Sequence, residues 1–173
     1  MNLQSNDFEL FGLVPRFAQD RAALDARWKE LQREIHPDRF AAQGARAQRV
    51  AMQWSARVNE AYQRLKDPLK RAGYLCELHG AAIQAENNTA MPAAFLMQQM
   101  EWREALDDAH DVSELDSLSD EVHRTRREVL QSCEHLLDEI HDYPAAVVQV
   151  RGLMFIERFS RDIENRLERI ENE

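Results

Sequence analysis

Three observations predict an all-α fold made of two helical regions. Apolar residues recur at helical spacing: Leu24, Trp28, Leu31 and Ile35 step by four, three and four, and Val50, Trp54, Val58, Ala61, Tyr62 and Leu65 continue the habit. No stretch alternates apolar and polar residues as a half-buried strand would. Only five glycines and five prolines interrupt 173 residues, of which 44% are hydrophobic.

Taken in order, Asp7 is expected to cap a short helix that carries Phe8 and Phe11 and ends at Gly12. Val14-Pro15-Arg16-Phe17 connects it to a helix capped by Asp20 and running to Ile35. Pro37 ends that helix by biasing His36 away from helical torsions. A loose bend over residues 41–45 precedes a long helix over 45–66, which Asp67-Pro68 stops. A further short helix spans 69–78 and ends by Gly80; Cys76 falls among its apolar residues as a buried structural thiol.

The least periodic stretch, 83–92, marks the boundary between the regions. Beyond it, apolar stripes predict helices over about 93–109, about 113–141, and from Pro144 to the end. Long helices with short connections make an antiparallel three-helix bundle. The expected division is therefore 1–79, a connector at 80–91, and 92–173.

Charge divides the chain in the same way. Residues 1–71 hold 13 Lys/Arg against 9 Asp/Glu, a net of +4, and residues 72–173 hold 9 against 22, a net of −13. Such asymmetry argues for two regions meeting different partners. The basic half has acids interspersed and no nucleic-acid motif, so nucleic acid is not an expected partner. No apolar run reaches the length needed to span a membrane, and the first residues lack a secretory pattern. Cys76 and Cys133 form no C-x-x-C pair, so neither a disulfide framework nor a zinc site is indicated. A reducing, cytoplasmic compartment is expected.

Enzyme chemistry finds little footing. There is no P-loop, no glycine-rich phosphate cradle and no convincing Cys–His nucleophile pair. A carboxylate-bridged metal bundle wants Glu-x-x-His on two helices. This chain offers only Asp107/His110, Asp120/His123 and Asp138/His141, which read better as surface residues.

The stretch around which the rest is organised is Ile35-His36-Pro37-Asp38-Arg39-Phe40. Pro and Asp both favour turns, yet His-Pro-Asp arises by chance in only about one chain in a hundred of this length. Set between two amphipathic helices near the N-terminus, it resembles the J domain of chaperone partners, whose signature is that tripeptide. Arg27 and Arg33, on the preceding helix, become candidates for docking onto an acidic surface.

The helix over 93–109 adds a second feature. Phe95, Leu96, Met97, Met100, Trp102 and Leu106 do not fit one face, so some must be exposed beside carboxylates. Leu96, Met100 and Glu104 share one line; Met97, Glu101 and Asp108 lie beside it. Phe8-Glu9-Leu10-Phe11-Gly12-Leu13, Leu75-Cys76-Glu77-Leu78-His79-Gly80, Phe95-Leu96-Met97 and Trp102-Arg103-Glu104-Ala105-Leu106-Asp107 together resemble the HscB-type co-chaperones of iron–sulfur cluster assembly, over nearly the whole chain. Arg39 stands where Lys is common in that family, and Met100 and Asp108 replace similar residues. The resemblance implies a protein that is not itself an enzyme and carries no cofactor or zinc. It implies that His36, Pro37 and Asp38 act on a DnaK-like, HscA-type chaperone. It further implies that Leu96, Met97, Met100, Glu101, Glu104, Asp108 and Phe155 bind an IscU-type scaffold.

Overall fold

The computed structural model describes residues 2–84 and 91–171. In order these form α1 (Asp7–Phe11), α2 (Arg21–Glu34), a 3-10 helix (Pro37–Gln43), α3 (Ala45–Lys66), α4 (Pro68–Leu78), α5 (Ala93–Asp108), α6 (Val112–Glu134), a π-helical turn (His135–Ile140) and α7 (Tyr143–Glu171). No strand occurs among the described residues. The chain divides into two compact units, Met1–Leu75 and Cys76–Glu173, so the division falls within α4. Residues 85–90 of the expected connector lie outside the described residues.

In the first unit, α1 is capped by Asn6 rather than Asp7. The Asn6 side chain accepts from the Glu9 amide at 2.9 Å, and the Glu9 carboxylate accepts from the Asn6 amide at 3.1 Å. Asp7 is instead fully buried, with its carboxylate 2.7 Å from both Arg57 and Arg64 of α3. The Asp7 amide donates to the Tyr74 hydroxyl at 3.0 Å, Phe8 stacks on Tyr74, and the Arg64 guanidinium lies 4.6 Å from the Tyr74 ring. Gly12 takes a left-handed φ of 66° and ends α1 there.

α2 and α3 pair through apolar and polar layers. Leu24 and Leu31 of α2 and Ala51, Val58, Ala61 and Leu65 of α3 are buried. The Trp28 ring stacks on Tyr62 at 4.6 Å, while Trp28 Nε1 and Gln32 Nε2 both donate to Asn59 Oδ1, at 3.0 and 2.7 Å. The Tyr62 hydroxyl donates to Asp25 at 2.8 Å; that bond, with Arg21 beside it, holds the Asp25 carboxyl below the ordinary carboxylate range.

Val50 does not continue the stripe, being 45% exposed. Counting back from Val58, a step of seven returns within about 20° of the same face and selects Ala51, whereas a step of eight drifts about 80° and turns Val50 outward. Buried Arg71 anchors the start of α4 by donating to the carbonyls of Phe17 and Leu65, at 2.7 and 2.6 Å.

The second unit is an antiparallel three-helix bundle. Its core comes from Trp102 of α5, Leu115, Leu118, Val122, Val129 and Cys133 of α6, and Val147, Val150, Leu153, Ile156, Phe159 and Ile163 of α7. Asp111 caps α6 by accepting from the Glu114 amide at 2.9 Å. The helix predicted over 113–141 changes to π-helical hydrogen bonding at His135 and ends at His141 in a left-handed conformation, φ 59°. The His141 ring donates from Nδ1 to the Leu137 carbonyl at 2.8 Å, satisfying one of the free carbonyls at that end.

Candidate functional site

The sequence-predicted residues fall at two places, one in each unit. At the first, Pro37 occupies the opening position of the 3-10 helix, where its missing amide costs nothing and its fixed φ suits the turn. The residue before it, His36, has φ −59° and ψ 128°, the extended geometry a following proline imposes. The 41–45 segment, expected as a loose bend, is thus largely the second half of a 3-10 helix.

The Asp38 amide donates to His36 Nδ1 at 3.3 Å. In that arrangement Nδ1 is an acceptor and the ring proton sits on Nε2. The Asp38 carboxylate lies 3.7 Å from Nδ1. Both side chains are well exposed, 56% for His36 and 87% for Asp38. The tip therefore offers an incoming protein one imidazole N–H donor and one open carboxylate, held two residues apart on a short rigid turn.

Arg39 ties the tip to α2. Its amide donates to the His36 carbonyl at 3.0 Å and its guanidinium to the Arg33 carbonyl at 3.1 Å. The Arg33 side chain is exposed in the last turn of α2. Arg27 stands nine residues before His36, about 13 Å along the helix axis. Its guanidinium is bridged to Glu30 at 3.2 Å. The structure thus gathers His36, Pro37 and Asp38 tightly, with Arg33 beside them and Arg27 on a more distant turn.

Behind the tip lies an open groove of about 670 Å³ lined by Ile35, Phe40, Ala47, Val50, Ala51 and Trp54, with Arg46 at its edge. No acid occurs between Arg39 and Asn59, so the charges of that stretch are all cationic. The apolar stripe expected from sequence includes Val50 and Trp54; the seven-residue phase from Val58 is the signal that sets Val50 outside it.

The second place is the outer face of α5. Leu96, Met97 and Met100 are 45%, 62% and 73% exposed, and Glu101, Glu104 and Asp108 are exposed around them. Met100, Glu104 and Asp108 line an open cleft of about 540 Å³ with Gln99, Arg103 and Asp107. Phe155 reaches this region from α7 and is half-buried, stacked 6.2 Å from Trp102 and 5.9 Å from Phe159.

Trp102, which the sequence marks as apolar but to which it assigns no role, fixes this face. It is 2% exposed, stacks on Phe155 and Phe159, and donates from Nε1 to Glu121 at 2.9 Å. Gln98 donates to the same Glu121 oxygen at 3.4 Å. With Trp102 pointing inward, helical phase turns Leu96, Met97 and Met100 out.

Among the described residues, no three His, Cys, Asp or Glu side chains gather where a metal ion would sit, so the three Asp-x-x-His pairs do not converge on one site. Nor is any helix among them long and apolar enough to cross a membrane.

A family model described as the HSCB C-terminal oligomerisation domain matches residues 91–164. A co-chaperone protein HscB homolog of Burkholderia thailandensis is 53% identical over 175 residues, 99% of each chain. Among solved structures, chaperone HscB from Vibrio cholerae aligns with a TM-score of 0.83 and 35% identity, over 96% of this chain and 99% of its own. The crystal structure of the human co-chaperone HscB aligns with a TM-score of 0.89 and 26% identity, over 95% of this chain and 83% of that one.

Proposed function

This chain belongs to the HscB family of co-chaperones, and from that premise we propose that it stimulates the ATPase of an HscA-type chaperone while delivering an IscU-type iron–sulfur scaffold to it. Residues 1–79 act as the J domain, 80–91 as the connector and 92–173 as the scaffold-binding bundle, in the cytoplasm. The observation that carries the reading is the presence, on separate compact units of one chain, of an exposed His-Pro-Asp tip and an exposed apolar face edged with carboxylates.

The tip suits a regulatory contact. His36 Nε2–H and the Asp38 carboxylate supply one donor and one acceptor, and the exposed cations Arg39, Arg46 and Arg49 steer the unit toward an acidic surface. Arg33 and Arg27 extend that set along α2. The contact favours the chaperone's hydrolysis-competent state; the bond-breaking groups belong to the chaperone, and this chain is not the enzyme.

The α5 face suits capture of a folded client. Leu96, Met97 and Met100 supply adaptable apolar area. Glu101, Glu104 and Asp108 supply register and select a partner with cations around its own apolar patch. Phe155 supports the same face from α7. Holding the scaffold there raises its effective concentration at the chaperone's peptide-binding site. Hydrolysis then locks the chaperone onto the scaffold and assists release of the cluster.

Replacing Leu96, Met97 and Phe155 together with alanine tests the client. Calorimetric titration with purified scaffold is expected to show affinity falling at least a hundredfold, as loss of two or three anchor side chains implies. Unchanged affinity would assign the co-chaperone a different client.

A further inference from the structure

A glycine inside a long helix weakens it relative to alanine, because it carries extra backbone freedom into the unfolded state. Gly152 is buried within α7. A Cβ placed on it would fall 2.8 Å from both Cε1 and Cζ of Phe95 and 3.4 Å from Cδ1. Carbon atoms in comfortable contact stand about 3.5–4.0 Å apart. Any side chain at 152 therefore has to push the Phe95 ring away.

Phe95 lies in the first turn of α5, directly before the exposed Leu96 and Met97. That turn starts at Pro92 with no side-chain cap. One heptad further on, Trp102 rests against Phe155 and Phe159 of the same helix, α7. α5 thus sits on α7 through an aromatic seat under Trp102, with Arg103 beside it reaching Asp162 and the Phe159 ring, and through bare backbone under Phe95. The second seat exists only because residue 152 has no side chain.

We propose that Gly152 is a positioning residue for the α5 docking face: its missing Cβ lets Phe95 settle against α7 and so sets where Leu96 and Met97 stand. The proposal rests on reading α5 as the scaffold-binding face. A Cβ at 152 would lift the start of α5 while leaving its Trp102 end seated, tilting the apolar strip of α5 relative to Phe155 of α7. Phe95 truncated to alanine would no longer meet that Cβ.

The test uses the full-length chain and purified IscU-type scaffold, with dissociation constants from calorimetric titration. Four variants are compared: Gly152→Ala, Phe95→Ala, the two combined, and Leu96→Ser with Met97→Ser. Thermal midpoints and scaffold-independent stimulation of the chaperone ATPase are followed alongside. Gly152→Ala is expected to weaken scaffold binding about tenfold, the scale of modest overpacking. Its scaffold-independent ATPase stimulation should stay at the wild-type level. The combined variant should bind no more weakly than Phe95→Ala alone, since truncating the ring removes the clash. Wild-type affinity in Gly152→Ala, with a clear loss in the Leu96/Met97 variant, overturns the proposal alone. Simple addition of the Gly152→Ala and Phe95→Ala losses also overturns it. Unchanged affinity in the Leu96/Met97 variant overturns the reading of α5, and the proposal with it.

Discussion

Replacing Asp7 with alanine is expected to cost the N-terminal unit about 3 kcal/mol. The Asp7 carboxylate is fully buried and lies 2.7 Å from Arg57 Nη2 and 2.7 Å from Arg64 Nε. These approaches are short but poorly aligned as hydrogen bonds, so the attraction is chiefly electrostatic. Deleting one partner of a buried ion pair costs roughly 3–5 kcal/mol, because the remaining charge is left uncompensated. Here the lower end applies. The two arginine side chains are 19% and 31% exposed, Arg57 keeps its bond to the Ser5 carbonyl, and Arg64 keeps Glu60 and the Tyr74 ring. For a unit of this size, about 1.5 kcal/mol per molar urea converts the loss to a midpoint shift of about 2 M. A urea titration read by Trp28 and Trp54 fluorescence, in a Trp102→Phe background, isolates this unit. A shift under about 0.5 M, or no energetic coupling between Asp7→Ala and Arg64→Ala in a double-mutant cycle, would refute the reasoning.

Two further predictions concern the bundle and its thiols. Trp102→Phe keeps aromatic packing on Phe155 and Phe159 but removes the donor to Glu121, so it should lower bundle stability by about 1 kcal/mol in chemical denaturation. A loss above about 3 kcal/mol would show the packing itself had failed. Burial pushes the Cys76 thiol up to about 11 and the Cys133 thiol up to about 12. Unfolded thiols titrate near 8.5. Folding therefore favours the protonated thiols, and that stability is complete below pH ~8.5 and lost as pH rises toward the folded values. The unfolding midpoint should fall between roughly pH 9 and 11, and less steeply when both cysteines are alanine. Tyr62 and Tyr74, also pushed up, leave part of the decline in place. An identical slope in the double variant would remove the thiols from the account.

Local signals carried much of the fold. Asp20 as the cap of α2, and the span Ala45–Lys66 between Gly44 and Asp67-Pro68, follow from capping and breaking residues that act within a turn. The exposure of Leu96, Met97 and Met100 followed from helical phase, because too many apolar residues compete for one face. What escaped depends on contacts distant in sequence. Asp7 looked like a cap because its neighbours are helical, yet Arg57 and Arg64, fifty and more residues on, draw it into the interior, and Asn6 caps in its place. Gly152 carried no local signal at all; its meaning appears only when Phe95 is laid on it. The change to π-helical bonding at His135 leaves no mark in the apolar periodicity.

The most direct test of the account is the steady-state ATPase of the HscA-type chaperone, with this protein and the IscU-type scaffold added separately and together, and His36→Gln as the control. The account predicts that the two together stimulate more than the sum of their separate effects, and that His36→Gln abolishes this while leaving scaffold affinity intact. Stimulation that ignores the scaffold, or survives His36→Gln, would contradict it.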